Sequence, residues 1–284
     1  MPVFSGIWVA LVTPFNDGAI DFPALRRLAR HLLDEGVAGL VACGTTGEAA
    51  ALSKDEQLAV LDALLEEVPG DRLVMGLAGN NLAELLAFQR EVQRRPIAGV
   101  LVPAPYYIRP SQDGLLAWFG AIADASSVPV ILYDIPYRTG VRLELATLRQ
   151  LARHPRIVAI KDCGGNPETT LALIADGELD VLTGEDGQIF TTLCMGGRGA
   201  IAASAHIHPR RFVEMAECIG KGELEAARAI FLKIQPLIRL AFAEPNPAPV
   251  KSLLAMQGLI RDELRQPMQP SSEALLQRLR TELA

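Results

Sequence analysis

Positive charge is in deficit in this chain, cysteine is sparse, and no hydrophobic run is long. The 284 residues carry 27 Lys and Arg against 33 Asp and Glu, a formal charge of -6 with the two signs interspersed. There is no basic stripe for a phosphate backbone and no polybasic cluster for a membrane surface, so neither nucleic acid nor membrane is an expected partner. No apolar stretch approaches the roughly 18 residues that a membrane span needs. Met1-Pro2-Val3-Phe4-Ser5 has neither the basic segment nor the long apolar core of a secretory signal, which points to the cytoplasm. Cys43, Cys163, Cys194 and Cys218 lie without CxxC spacing, as expected of packed thiols in a reducing compartment rather than of a disulfide framework or zinc site. Only Cys163, two residues past Lys161, stands near a prospective site. Low-complexity segments and internal repeats are also missing.

What is present is apolar bulk, half of all residues, enough for one large domain with a substantial core. Short, continuously apolar runs alternate with helical patterns, as in parallel strands covered on both faces. Eight such runs lie near Ile7 to Val12, Gly39 to Ala42, Leu73 to Gly76, Gly99 to Val102, Val130 to Tyr133, Ile157 to Lys161, Asp180 to Thr183 and Ala200 to Ala203. Eight strand and helix units predict a (β/α)8 TIM barrel over residues 1–220, with a doubly wound open sheet as the alternative. Ser53-Lys54-Asp55-Glu56 reads as a capping box opening the helix after the second run. Beyond Gly220 only helical patterns remain, near Glu223 to Ala243, Pro249 to Gln257 and Ser272 to Leu283. Residues 221–284 are therefore expected to form a C-terminal helical appendage, with the proline-rich Glu244 to Pro249 as a rigid connector.

Active sites of barrels lie at the C-terminal ends of strands, so the residues that close each run carry the chemical signal. Lys161 closes the sixth run and Tyr133 the fifth. A lysine ending a buried strand loses solvation of its charged form, which favours the free amine, a nucleophile for carbonyl carbon. Neighbouring strands lie about 5 Å apart, so a phenol one strand away is within reach of an imine nitrogen or carbinolamine oxygen. Gly44-Thr45-Thr46-Gly47-Glu48 follows the second run, and its glycines permit a tight turn whose amide and hydroxyl donors converge on a carboxylate. Taken alone, that turn is equally an ordinary βα connection. Tyr106 and Tyr107 follow the fourth run, and Gly184-Glu185-Asp186 the seventh, with Gly184 read as lining the substrate. Arg138, in a loop after Tyr133, suits bidentate capture of a second carboxylate, or is a solvated surface residue. His206 and His208 are more readily read as capping the next helix than as ligands, so no metal is expected.

Gly44-Thr45-Thr46-Gly47-Glu48, Pro105-Tyr106-Tyr107, Tyr133-Asp134-Ile135-Pro136, Arg138-Thr139-Gly140 and Ile160-Lys161-Asp162 together resemble the dihydrodipicolinate synthase and N-acetylneuraminate lyase superfamily. The likeness runs on through Glu244 to Lys251 and Leu264 to Met268, so it covers essentially the whole chain. It implies a (β/α)8 barrel with a helical tail, in which Lys161 forms a Schiff base with pyruvate and Tyr133 donates and accepts the proton. It further implies a proton relay through Thr45 and Tyr107, a pyruvate carboxylate held by Thr46, and a pocket lined by Ile201. No cofactor is implied beyond the covalent lysine imine.

Arg138 matches the residue that binds the carboxylate of L-aspartate 4-semialdehyde. The resemblance thus implies condensation of pyruvate with that aldehyde to 4-hydroxy-tetrahydrodipicolinate, the step that opens diaminopimelate and lysine biosynthesis. A related pyruvate-dependent aldolase acting on a 4-hydroxy-2-oxo acid or keto-deoxy sugar acid is the alternative, and a non-catalytic keto-acid binder a more remote one. Ile108, Tyr137 and Cys163-Gly164-Gly165 depart from the family pattern near the second substrate. Asn80, Glu84 and Tyr106 match positions that contact a lysine effector, while Lys54 and Gln57 stand where sensitive members often carry histidines. A cation there repels a cationic effector, so inhibition by lysine is expected to be weak, and an IC50 below about 1 mM contradicts that. Tyr107 implies a homo-oligomer, a dimer or tetramer, because it serves the neighbouring subunit's site in the family.

Overall fold

The computed structural model describes residues 4 to 283; Met1 to Val3, part of the segment read above for a signal, and Ala284 lie outside the described residues. Eight parallel strands, β1 (Gly6–Ala10), β2 (Gly39–Ala42), β3 (Leu73–Gly76), β4 (Gly99–Pro103), β5 (Val130–Asp134), β6 (Ile157–Asp162), β7 (Asp180–Thr183) and β8 (Gly199–Ala202), form a closed barrel in the order β1-β8-β7-β6-β5-β4-β3-β2. Closure decides against the open sheet, which has two edge strands. Each strand coincides with a run read from sequence to within two residues or so, because a strand buried on both faces must be apolar along its whole length.

The helices are α1 (Phe22–Asp34), α2 (Lys54–Leu65), α3 (Leu82–Val92), α4 (Gln112–Asp124), α5 (Pro136–Thr139), α6 (Leu145–Leu151), α7 (Pro167–Asp176), α8 (Ile189–Cys194), α9 (Pro209–Gly220), α10 (Leu224–Ala241), α11 (Ala248–Met256) and α12 (Glu273–Leu283). Side-chain caps start several of them. Asp21 accepts from Ala24 N at 2.9 Å, Ser111 Oγ from Gly114 N at 3.2 Å, and Asn166 Oδ1 from Glu168 N at 3.0 Å. The expected capping box opens α2: Ser53 Oγ accepts from Glu56 N at 3.1 Å, and Glu56 Oε2 accepts from Ser53 N at 2.8 Å. Two elements were not legible beforehand, an antiparallel ribbon of Phe15–Asn16 with Ala19–Ile20 and the one-turn α5, both too short to show a period. Among the described residues no helix is long and apolar enough to cross a membrane.

The chain packs as two compact units. In the unit containing Gly70–Ile201, β3 to β8 pair in succession, with Val100 opposite Val130, Tyr133 opposite Lys161 and Ala200 opposite Thr183. In the unit containing Gly6–Pro69 and the residues from Ala202 onward, β1 pairs with β2, Trp8 opposite Gly39, and α10 packs on α9, α11 and α12.

Candidate active site

Side chains alternate across a strand, and this sorts the ends of β5 and β6. Asp134 and Asp162 turn toward the helices: Asp134 Oδ1 accepts from Leu143 N at 3.1 Å, and Asp162 Oδ2 accepts from the Thr170 hydroxyl on α7 at 2.5 Å. Tyr133 and Lys161, one residue earlier, therefore face the barrel interior. They are register partners, 5 % and 6 % exposed, and Lys161 Nζ stands 4.5 Å from the centroid of the Tyr133 ring.

The stem of Lys161 crosses the end of β7. A Cβ at Gly184 would lie 2.5 Å from Lys161 Cε and 2.8 Å from Cγ, and against the Cys163 sulfur, so only glycine leaves the lysine its place. Gly184 N is fixed by Asp162 O at 2.8 Å, and Cys163 N by Asp134 O at 2.9 Å. Burial pushes the Cys163 thiol up, so it stays a neutral packing group. Next to Gly184, burial raises the carboxyl of the half-buried Glu185, and the nearby Tyr137 phenol and Cys163 thiol oppose that shift. This pairing was missed in sequence, although Glu185 was among the strand-end residues. Its partner Tyr137 lies 48 positions away, beyond the reach of a local pattern.

Arg138 sits not in an open loop but on α5, a single turn started by Pro136 and stopped by Gly140, whose φ of 79° requires glycine. Thr139 ties the turn down from inside, its hydroxyl donating to the carbonyls of Ile135 and Val141. Arg138 itself is exposed, 5.8 Å from the Tyr137 ring. Tyr107 is 88 % exposed at a φ of 76°, its amide bound to Thr139 O at 3.2 Å. Ile201, in β8, is buried. Of the proposed effector contacts, Asn80 and Tyr106 meet, Asn80 Oδ1 accepting from Tyr106 N at 3.0 Å, while Glu84 bonds instead to the α3 cap residue Asn81 at 3.0 Å.

In the other unit the turn Gly44 to Glu48 follows β2. Gly47 N and Glu48 N donate back to the carbonyls of Gly44 and Thr45, both at 3.1 Å, and Gly47 O accepts from the Thr13 hydroxyl at 2.8 Å. This leaves Thr45 exposed and Thr46 buried. Thr46 Oγ1 accepts from Asn246 Nδ2 at 2.9 Å, a contact no local pattern announced. Glu48 closes the turn in the left-handed region, φ 53°, and forms a buried ion pair with Lys251. Gln57 is turned inward, its amide on the carbonyls of Ala49 and Leu52 at 3.0 and 3.2 Å, so it braces this turn rather than meeting a ligand. His208 stands at the N-cap position of α9 but makes no side-chain capping bond, and His206 does not cap the helix at all. His206 is buried with Nε2 accepting from Val12 N at 3.2 Å and Nδ1 on Ala203 O at 2.7 Å, and burial lowers it to about 4, so it is a neutral strut. Among the described residues no cluster of three or more His, Cys, Asp or Glu is placed to hold a metal ion.

Residues 3–284 match the profile described as the dihydrodipicolinate synthetase family. The 4-hydroxy-tetrahydrodipicolinate synthase of Pelobacter propionicus is 38 % identical over 275 residues, covering 96 % of this chain and 95 % of that protein. The structure of the 4-hydroxy-tetrahydrodipicolinate synthase from Methylacidiphilum fumariolicum SolV superimposes with a TM-score of 0.95 at 35 % identity, over 99 % of this chain and 95 % of that one. The crystal structure of the enzyme from Cyanidioschyzon merolae with lysine bound gives 0.96 at 29 % identity, over 100 % and 98 %.

Proposed function

This chain belongs to the dihydrodipicolinate synthetase family, and from that premise we propose how its side chains divide the work of condensing pyruvate with L-aspartate 4-semialdehyde. The enzyme is a lyase of lysine and diaminopimelate biosynthesis whose product is 4-hydroxy-tetrahydrodipicolinate. Lys161 Nζ attacks the keto carbon of pyruvate, and loss of water from the carbinolamine leaves a Schiff base. Tyr133 gives the departing oxygen its proton and takes one back when the imine is broken. Loss of a proton from C3 turns the iminium into an enamine, whose carbon attacks the aldehyde. The iminium is the electron sink, so these steps call on no metal.

Thr45 and Tyr107 pass the proton between Tyr133 and solvent. Thr46 donates to the pyruvate carboxylate, Ile201 and Gly184 shape the pocket, and Arg138 binds the carboxylate of the aldehyde through its fork of donors. The reading includes a cytoplasmic setting and a homo-oligomer, since Tyr107 is assigned to a neighbouring subunit's site. Its 88 % exposure in the single chain supports this, and sedimentation as a 30.6 kDa monomer under assay conditions contradicts it.

The observation that carries the reading is the buried Lys161 in register with Tyr133, its amine 4.5 Å from the ring. The test is borohydride reduction in the presence of pyruvate, together with steady-state turnover for wild type and Arg138→Ala. One reduced pyruvate on Lys161 is expected. Arg138→Ala is expected to lose roughly 10- to 100-fold in kcat/KM for the semialdehyde while pyruvate trapping is unchanged. Trapping at another lysine, or a kcat/KM indifferent to Arg138, contradicts the respective assignment.

A further inference from the structure

The proline-rich connector is shorter than its sequence suggests, because Ala248 and Pro249 form the first turn of α11, where proline is tolerated, and it does more than span two helices. A threonine hydroxyl has one hydrogen to donate and two lone pairs with which to accept. In Thr46 one lone pair is taken by Asn246 Nδ2 at 2.9 Å, which leaves the hydrogen to be donated elsewhere. Thr46 is only 4 % exposed, so water competes weakly for that hydrogen. The turn is anchored at its other end by the same C-terminal region: Glu48 pairs with Lys251 and accepts from Arg265 N at 3.0 Å, and Lys251 Nζ also donates to Glu263 O at 2.9 Å.

We propose that Asn246 is a positioning residue for pyruvate: its amide occupies a lone pair of Thr46 Oγ1 and so turns the hydroxyl hydrogen toward the substrate carboxylate. This rests on Thr46 being the carboxylate donor. The opposite polarity, with Thr46 donating into the Asn246 carbonyl, would present only lone pairs to an anion, an arrangement that repels it. Asn246 acts through Thr46 alone, so its contribution vanishes when the hydroxyl does.

The experiment measures the pyruvate concentration that half-saturates borohydride trapping at Lys161, a readout independent of the second substrate. The variants are Thr46→Val, Asn246→Ala, Asn246→Asp and the double variant Thr46→Val/Asn246→Ala, with thermal unfolding to establish that each is folded. Thr46→Val and Asn246→Ala are each expected to raise half-saturation about tenfold, in keeping with one hydrogen bond to a charged group. The double variant should be no worse than Thr46→Val alone, and the final extent of trapping unchanged. Asn246→Asp keeps the size of asparagine but can only accept, so it takes the hydroxyl hydrogen and should weaken pyruvate at least as much. It is also the deciding variant if Asn246→Ala does not fold. Independent, multiplying effects in the double variant overturn the proposal. If Thr46→Val raises half-saturation while both Asn246 variants match wild type, the proposal falls and Thr46 keeps its role. If Thr46→Val has no effect, the role of Thr46 falls and the proposal with it.

Discussion

Lys161 and Tyr133 are each almost wholly withdrawn from solvent, yet the lysine keeps its position only because the next strand ends in glycine. Its aliphatic stem fills the space a side chain at 184 would take, and the ring of Tyr133 borders its amine. Gly184→Ala is therefore expected to displace the amine rather than unfold the barrel. A misplacement on the order of 1 Å costs roughly 100-fold in a bond-forming step, so the rate of borohydride-trapped imine formation should fall by about that factor with little change in Tm. Trapping at the wild-type rate would show that the lysine reaches pyruvate by another path. Glu185 and Tyr137 add a carboxyl and a phenol close to this lysine.

At the scale of the element, alternation sorts the side chains at the ends of β5 and β6: Tyr133 and Lys161 inward, Asp134 and Asp162 toward the helices. The structural pair has a pH signature. Burial raises the Asp134 carboxyl from 3.8 to about 6, with the neighbouring Asp162 adding to it against the bond from Leu143. The unfolded chain gives up this proton first. Its contribution to stability is thus fully present below pH 3.8 and is lost as pH rises through about 6. At 1.36 kcal/mol per unit, two units correspond to ~3 kcal/mol. Asp134→Asn keeps an acceptor for Leu143 N and removes the titration. Denaturant unfolding should find the variant more stable than wild type at pH 8 by up to ~3 kcal/mol, and that advantage should vanish near pH 4. A difference that is constant across this range would contradict the raised carboxyl.

At the scale of the whole molecule, contacts between distant parts of the chain set the turn that carries Thr45 and Thr46. Lys251 is fully buried, and burial lowers it while Glu48 opposes the shift; its amine also lies 4.1 Å from the Phe15 ring centroid. Removing one member of a buried ion pair leaves an uncompensated charge, at a cost of about 3–5 kcal/mol. Lys251→Met should lower Tm accordingly, and adding Glu48→Gln should recover part of the loss; no recovery would place the cost in packing instead. What the sequence determined by itself was whatever depends on near neighbours along the chain. Continuous apolar runs marked eight strands because each is buried on two faces, Ser53 and Glu56 marked a helix start, and the residues closing the runs marked Tyr133, Lys161 and Gly184. What only the tertiary structure decided were pairings whose partners lie far apart in sequence: Asn246 on Thr46, Lys251 on Glu48, Tyr137 on Glu185, and His206 and Gln57 turned to backbone groups. A periodic pattern reports which face of an element is dry. Which polar group ends opposite which is settled by how the closed backbone brings strand ends and the C-terminal segments together, since every buried donor and acceptor must then find its partner within that fixed frame.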